Sequence, residues 1–291
     1  MRWAASASIS MQALPPGPEP APAAPGASQW CWHDDTQIEG LRARPFRVKV
    51  ARREVPGVLW IGPAAAPADG MAPAARPRPL VLVQHGGSGH KADPAIVAQL
   101  RPLVVAAGFL AATIDGPIHG ERADVPASGA AMRDHFLAMW ARDNRIPSMV
   151  EDWLAVVAGL SELADVDATR IGWMGTSMGT AYGLPVVAAC PVIKAAVLGK
   201  WAGDYPNSER LREDAPAVRC AVLFIQRWDD ELFSRAGTLE LFDRLGCSDK
   251  RLHVYPGSHF QPAGEPLDDA VAFLRVRLGD AFFHPHGPGP T

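Results

Sequence analysis

Residues 175–179 read Gly-Thr-Ser-Met-Gly and form a G-x-S-x-G pattern centred on Ser177. Residues 170–174 ahead of it are a short apolar run typical of a buried strand, and residues 180–190 behind it have the Ala, Leu and Val content of a packed helix. A tight turn between strand and helix strains the serine backbone and leaves the hydroxyl exposed. A side chain on either glycine would collide with the neighbouring strand or helix. The pattern therefore predicts a nucleophilic hydroxyl at Ser177.

A hydroxyl nucleophile needs a base that takes its proton and an acid that orients the base. His259 follows a predicted strand, and the adjacent carboxylates of Asp229 and Asp230 follow the strand before it. In parallel sheets, ligands bind beyond the carboxyl ends of the strands. The order serine, aspartate, histidine along the chain therefore predicts acyl transfer through Ser177, with His259 as the base and one of the two aspartates as the acid.

Other histidines compete with His259 for the role of base. His253 lies inside a predicted strand, where a hydrogen-bonded structural histidine is expected. His284 and His286 belong to the C-terminal segment, outside the predicted strands and helices. We therefore expect His259 to be the base.

Strands and helices alternate along the chain. We predict strands at residues 46–51, 55–61, 80–84, 109–114, 170–174, 192–199, 220–226 and 251–255. We predict helices at residues 94–107, 130–142, 148–163, 180–190, 234–245 and 267–278. The first two strands form an antiparallel hairpin, and the alternation after them implies a parallel sheet with helices on both faces.

The composition is that of a globular α/β protein. The 291 residues are 48% hydrophobic, which is enough for a sizeable core, and the net charge of −3 gives no basic excess for a nucleic-acid partner. No apolar run reaches the length of a membrane span. We expect residues 1–28 to be a disordered Ala/Pro-rich tail, residues 29–280 to form one domain and residues 281–291 to be a loose C-terminal tail.

Cysteines and histidines give no sign of a metal or a cofactor. The four cysteines, Cys31, Cys190, Cys220 and Cys247, are widely spaced and form no C-x-x-C, so we expect reduced, buried thiols in a cytoplasmic protein. No histidine groups with Asp, Glu or Cys at ligand spacing, so no metal is expected. No G-x-G-x-x-G follows a strand, so no dinucleotide cofactor is expected.

Together the motifs resemble the α/β-hydrolase superfamily, and within it the dienelactone hydrolase-like and prolyl-oligopeptidase-like serine esterases. The resemblance spans about residues 46–278 and is carried by residues 84–87, 115–120, 175–179, 229–231 and 257–260. It implies an α/β-hydrolase fold with a mostly parallel sheet of about eight strands, helices on both faces, and a small cap or none. One departure is that dienelactone hydrolases proper use a cysteine nucleophile where this chain has Ser177, so their lactone substrate is not assumed.

The resemblance also separates the two adjacent aspartates. In the family, the acid is followed by an acidic or polar residue and two apolar residues. Residues 230–233, Asp-Glu-Leu-Phe, fit that frame. The resemblance therefore implies that Asp230 orients His259, and that Asp229 is solvated or caps the next helix.

An oxyanion hole needs two backbone N–H groups directed at the developing negative charge. One would come from Met178, which follows the nucleophile at the positive end of a helix. The family frame points to Gly87 for the other, although residues 85–89 could also be a flexible turn. His85 is expected to be a hydrogen-bonded structural residue.

Three further residues are candidates for the substrate pocket. Trp201 and Trp228 follow strand ends, where they could line the pocket or pack in the core. His119 lies in a loop that is typical of the family, where it usually pins the loop, and direct contact with substrate is the alternative. The apolar face of the predicted helix 130–142 could form a small lid or pack on the sheet.

The residues and the resemblance predict a cofactor-independent serine hydrolase that cleaves carboxylic esters through an acyl-enzyme, with a small or medium acyl group. Thioesters, or peptides and amides, could be cleaved by the same triad. Prolyl-oligopeptidase-like peptidases carry a β-propeller for which the segment before residue 46 is too short. An alternative of another class is a non-catalytic binding protein on this fold. Acyl and alcohol specificity and oligomeric state are not predicted.

Overall fold

The computed structural model describes residues 29–62, 76–261 and 264–279. Its strands are β1 (Gln29–Trp32), β2 (Thr36–Ile38), β3 (Leu41–Val50), β4 (Arg53–Ile61), β5 (Arg78–Val83), β6 (Leu110–Ile114), β7 (Val166–Met174), β8 (Ile193–Gly199), β9 (Ala221–Arg227) and β10 (Lys250–Tyr255). Its α-helices are α1 (Pro94–Arg101), α2 (Gly129–Trp140), α3 (Ile146–Ser161), α4 (Met178–Ala189), α5 (Glu209–Asp214), α6 (Arg235–Arg244) and α7 (Gly264–Leu278). The predicted tails, residues 1–28 and 281–291, lie outside the described residues.

The strands form a single sheet in the order β1-β3-β4-β6-β5-β7-β8-β9-β10, with β2 paired to β3. The pairs from β6 to β10 are parallel. The pairs that involve β1, β2, β3 and β4 are antiparallel. This confirms the predicted α/β class and the mostly parallel sheet with an antiparallel hairpin at its start.

Helices cover both faces of the sheet. Val81 of β5 packs in the apolar cluster with α1 and α7, while its neighbour Leu82 packs in the cluster with α3 and α4. Successive side chains of a strand point to opposite faces, and each fully buried aliphatic side chain stabilises the fold by about 1.5–3 kcal/mol. Burial on both sides explains why the central strands are nearly continuous apolar runs.

The structure adds two short strands and one short α-helix to the predicted strands and helices. β1 and β2 have four and three residues and pair with β3. α5 has six residues and lies in residues 200–217, where the sequence predicts no regular element. Elements this short show no readable periodicity in the sequence, so they are not predicted. With β1 and β2 included, the sheet has ten strands rather than about eight.

The four cysteines are free. Cys190 and Cys247 are buried and Cys220 is half-buried, as expected of core thiols. Cys31 is exposed on β1, so the prediction that it is buried is wrong, because β1 is an edge strand. None of the described helices is long and apolar enough to cross a membrane.

Candidate active site

Ser177 lies in the turn between β7 and α4. Its backbone φ of 59° and ψ of −124° are a conformation that residues with a side chain rarely adopt. The Ser177 N–H donates to the carbonyl oxygen of Gly199 at 2.9 Å. The Thr180 hydroxyl donates to the same oxygen at 2.6 Å and accepts the Gly199 N–H at 2.7 Å. The end of β8 therefore holds the strained turn in place.

The two glycines of the turn stand where no side chain fits. A Cβ atom on Gly179 would lie 2.8 Å from the carbonyl oxygen of Gln84. A Cβ atom on Gly175 would lie 3.0 Å from the Cα of Gly179 and 3.1 Å from the same Gln84 oxygen. The predicted steric need for glycine is confirmed.

Ser177, His259 and Asp230 form one chain of hydrogen bonds. His259 Nε2 lies 3.0 Å from Ser177 Oγ, and His259 Nδ1 lies 2.8 Å from Asp230 Oδ2. A carboxylate can only accept, so Nδ1–H donates to Asp230 and Nε2 is left to accept the serine proton. The structure thus brings together the three residues that the sequence singles out, although they are 29 and 82 positions apart.

Asp230 is held by more than the histidine. Its Oδ1 accepts the backbone N–H groups of Leu232 at 2.9 Å and Phe233 at 3.0 Å. Burial raises the pKa of Asp230, but the hydrogen bonds from His259 and from the two backbone groups outweigh it, so the net pKa is lowered. The carboxylate is therefore ionised at neutral pH and can stabilise a positive charge on the imidazole.

Asp229 and Glu231, the neighbours of Asp230, have other contacts. Asp229 is exposed, and its Oδ2 accepts the Gly257 N–H at 3.3 Å. Glu231 Oε2 accepts the His259 backbone N–H at 2.8 Å. No role is predicted for Glu231 from the sequence, although an acidic or polar residue after the acid is part of the family frame.

Gly87 lines the cavity above Ser177, and Met178 follows the serine in α4. Neither the Gly87 N–H nor the Met178 N–H donates a hydrogen bond to any residue that the structure describes. A Cβ atom on Gly87 would lie 2.9 Å from Cδ1 of Phe136, so the backbone approaches α2 closely. Both N–H groups therefore lack a hydrogen-bond partner among the described residues, and that of Gly87 belongs to a residue of the cavity wall.

Two buried histidines fix the loops behind Gly87. His85 Nε2 accepts the Gly116 N–H at 3.0 Å, so its Nδ1–H donates to the Gly86 carbonyl at 2.8 Å. His119 Nε2–H donates to the carbonyl oxygen of Gly87 at 3.1 Å. Burial lowers the pKa of each histidine to about 3, so both are neutral. His119 is fully buried beside Phe136 and does not line the cavity, so the pocket role considered for it is corrected to a structural one.

A cavity of about 880 Å³ opens above Ser177 and His259. Its wall includes the apolar side chains Phe136, Leu137, Trp201, Leu232, Phe233 and Phe260. Trp201 thus takes one of the two positions considered for it, in the wall of the cavity. Trp228 does not line the cavity: its side chain points to solvent beyond β9, is 51% exposed and stacks with the Arg235 guanidinium at 3.6 Å.

The apolar face of α2 packs inward. Its buried side chains are Met132, Phe136, Met139 and Trp140. The Trp140 ring meets Trp201 edge to face at a centroid distance of 4.8 Å, and its Nε1–H donates to the Pro206 carbonyl at 2.7 Å. α2 is therefore anchored over the sheet while its Arg133, Phe136 and Leu137 form part of the cavity wall.

In the part of the chain that the structure describes, no group of three His, Cys, Asp or Glu side chains could hold a metal ion. Ser177 and His259 are among the residues that line the cavity, and Asp230 lies behind His259. A serine hydroxyl within hydrogen-bond distance of an oriented histidine is an arrangement that can transfer an acyl group.

No protein-family model and no curated protein matches the chain. Among solved structures, a cold-adapted esterase from an Arctic intertidal metagenomic library is 37% identical, with a TM-score of 0.72 over 85% of this chain and 99% of the esterase. The acetyl xylan esterase 1 of Thermoanaerobacterium sp. is 16% identical, with a TM-score of 0.64 over 86% of this chain and 88% of that one.

A dienelactone hydrolase from Anabaena variabilis is 19% identical, with a TM-score of 0.60 over 82% of this chain and 99% of that one. At these lower identities the likeness shows the fold alone, whereas the Arctic esterase is similar over nearly its whole length. The chain therefore belongs to the α/β-hydrolase superfamily, among its carboxylic ester hydrolases.

Proposed function

We propose that the protein cleaves carboxylic esters through an acyl-enzyme on Ser177. The observation that carries this proposal is the hydrogen-bonded chain from Ser177 Oγ through His259 to Asp230, with distances of 3.0 and 2.8 Å, at the floor of an open cavity. The same geometry argues against a purely binding protein. A strained serine hydrogen-bonded to an oriented histidine is the arrangement of a nucleophile and its base, and binding a ligand does not require it.

In the first half of the reaction, Ser177 Oγ attacks the ester carbonyl carbon while its proton passes to His259 Nε2. The carbonyl oxygen becomes an oxyanion that accepts hydrogen bonds from the N–H groups of Gly87 and Met178. Asp230 stabilises the imidazolium. The C–O bond to the alcohol then breaks, and the alcohol leaves with the proton from Nε2.

In the second half, a water molecule takes the place of the alcohol. His259 Nε2 accepts one proton of the water as its oxygen attacks the acyl carbon. The bond to Ser177 Oγ breaks, Oγ regains the proton from Nε2, and the carboxylic acid leaves. No cofactor enters either half.

The cavity supports a small or medium acyl group. Its volume of about 880 Å³ falls within the range of pockets that enclose small organic ligands, roughly 300–1,000 Å³. Trp201 and Phe136 are buried and anchored by their neighbours, so they limit how far an acyl chain extends on that side. The likeness to the Arctic esterase supports ester substrates.

A fluorophosphonate probe and a series of p-nitrophenyl esters from acetate to palmitate test the proposal. We expect wild-type protein to be labelled on Ser177 and to hydrolyse short and medium esters fastest. Ser177→Ala should do neither. Ser88→Ala is the matched control, because Ser88 lines the same cavity but its hydroxyl has no partner among the described histidines. Labelling or turnover retained in Ser177→Ala would refute the proposal.

A further inference from the structure

Lys200 directly follows β8 and lines the cavity next to the nucleophile. The carbonyl of the preceding Gly199 accepts the Ser177 N–H, and the Lys200 N–H donates to the Ile225 carbonyl at 2.9 Å. Lys200 has a backbone φ of 53°, in the left-handed region that lysine rarely adopts. The backbone therefore places a lysine beside the reacting serine at a position that would suit glycine better.

The ammonium of Lys200 donates no hydrogen bond to, and forms no salt bridge with, any residue that the structure describes. The other charged side chains of the cavity wall do have partners. Arg133 pairs with Asp134 at 3.0 Å, Arg227 donates to the Pro256 carbonyl at 2.9 Å, and Asp93 accepts the Ile96 N–H at 2.9 Å. Among the described Lys and Arg side chains of this wall, Lys200 is therefore the one whose charge has no such contact.

Lys200 carries a positive charge at neutral pH. The pKa of Lys200 is lowered to about 8, chiefly by burial and to a smaller extent by Arg227, against the opposing effect of the Asp230 and Glu231 carboxylates beyond salt-bridge distance. A partly buried cation has lost much of its hydration, so an anion that reaches it gains a strong interaction. The charged residues of the cavity wall are Asp93, Arg133, Lys200 and Arg227, and this excess of cations also attracts anions.

We propose that Lys200 binds a carboxylate of the substrate, so that the enzyme selects esters that carry an anionic group close to the scissile bond. A carboxylate would accept a charge-assisted hydrogen bond from the ammonium, whereas a neutral substrate would leave the ammonium unpaired. The proposal rests on the ester hydrolysis proposed above and adds a specificity-determining residue to it.

Two pairs of esters test the proposal, and each pair differs only in a carboxylate or the matching amide. Monomethyl glutarate and methyl 4-carbamoylbutanoate carry that group on the acyl side. 4-Acetoxybutanoate and 4-acetoxybutanamide carry it on the alcohol side. The ratio of kcat/KM, acid over amide, is measured for each pair on the same preparation, so it does not depend on the fraction of folded protein.

We expect wild-type enzyme to prefer the acid in at least one pair, and that pair identifies the side on which the carboxylate lies. In Lys200→Met this ratio should fall about 10- to 100-fold, mainly through KM, because a hydrogen bond between charged groups is lost. Lys200→Arg should keep most of the preference. Lys194→Met is the matched control, since Lys194 is exposed on β8, the strand that Lys200 follows, and lies outside the cavity.

Preference for the amide in both pairs, or an unchanged ratio in Lys200→Met, would overturn the proposal. An equal fall for both members of a pair would also overturn it, because Lys200 would then act on the reaction and not on the carboxylate. Hydrolysis of the amide esters that disappears in Ser177→Ala leaves the proposed function intact whatever the ratio. Failure of the wild-type enzyme on all four esters would overturn the Lys200 proposal, whereas turnover of p-nitrophenyl esters and labelling of Ser177 decide the proposed function separately.

Discussion

At the scale of single residues, Asp229 and Asp230 show how surroundings separate two identical side chains. Asp230 is within hydrogen-bond distance of His259 Nδ1 and of two backbone N–H groups, while Asp229 is exposed with one long contact. Only an acceptor at the Asp230 position can hold the tautomer of His259 that leaves Nε2 free for the serine proton.

Asp230→Asn should lower kcat by about 10⁴, because an amide can donate to Nδ1 and stabilise the wrong tautomer. Asp229→Asn is the matched control and should have a mild effect. Steady-state hydrolysis of a p-nitrophenyl ester measures both. If the two variants exchanged their behaviour, Asp229 would be the orienting acid.

The types and order of the polar residues point to Ser177, His259 and the pair of aspartates before any coordinates are considered. Spacing alone does not separate Asp229 from Asp230, because both follow the same strand. The hydrogen bond of Glu231 and the cavity position of Lys200 depend on how two loops fold, and no local pattern encodes that. Trp228 shows the converse, since it follows a strand end as predicted but points to solvent.

At the scale of elements, the turn between β7 and α4 works only if the backbone of β5 can approach it. The carbonyl oxygen of Gln84, which follows β5, lies 2.8 Å from the position that a Cβ atom of Gly179 would take. This contact couples the end of one strand to the start of the helix that carries Met178.

Gly179→Ala should lower the free energy of unfolding by about 1–3 kcal/mol, the usual cost of forcing extra atoms into a packed site. Gly86→Ala is the matched control, because nothing lies within 4 Å of its added Cβ atom. Urea unfolding of both variants measures the difference. Equal stabilities would show that the turn tolerates a side chain.

Elements differ in how well the sequence predicts them. The predicted strands at residues 80–84 and 220–226 agree with β5 and β9 to within two residues, because burial on both faces makes them continuous apolar runs. The predicted helix 94–107 is instead divided in two. The α-helix ends at Arg101, because Pro102 lacks an N–H to donate, and a π-helical turn, Pro102–Ala106, follows it.

At the scale of the whole molecule, the buried His85 and His119 couple the fold to pH. Burial lowers the pKa of each from 6.5 to about 3. Between these two values the unfolded chain binds protons that the folded protein does not. The free energy of unfolding should therefore fall as the pH falls from 6.5 toward 3, by up to about 1.4 kcal/mol per pH unit for each histidine.

His85→Gln should make the loss of stability between about pH 7 and about pH 5 smaller than in wild type, by about 1–2 kcal/mol. His135→Gln is the control, because His135 is exposed on α2. Urea unfolding of wild type and both variants at the two pH values gives the three differences needed. Parallel pH dependences in wild type and His85→Gln would contradict the coupling.

The central claim is that Ser177 carries the acyl group, and trapping the acyl-enzyme tests it most directly. Protein mixed with p-nitrophenyl acetate is quenched in acid within the first turnover, digested, and analysed by peptide mass spectrometry. We predict one acetyl group on the peptide that contains Ser177, formed with the initial burst of p-nitrophenol and absent from Ser177→Ala. An acetyl group that forms at the rate of turnover on any other residue, or undiminished hydrolysis by Ser177→Ala, would contradict the mechanism.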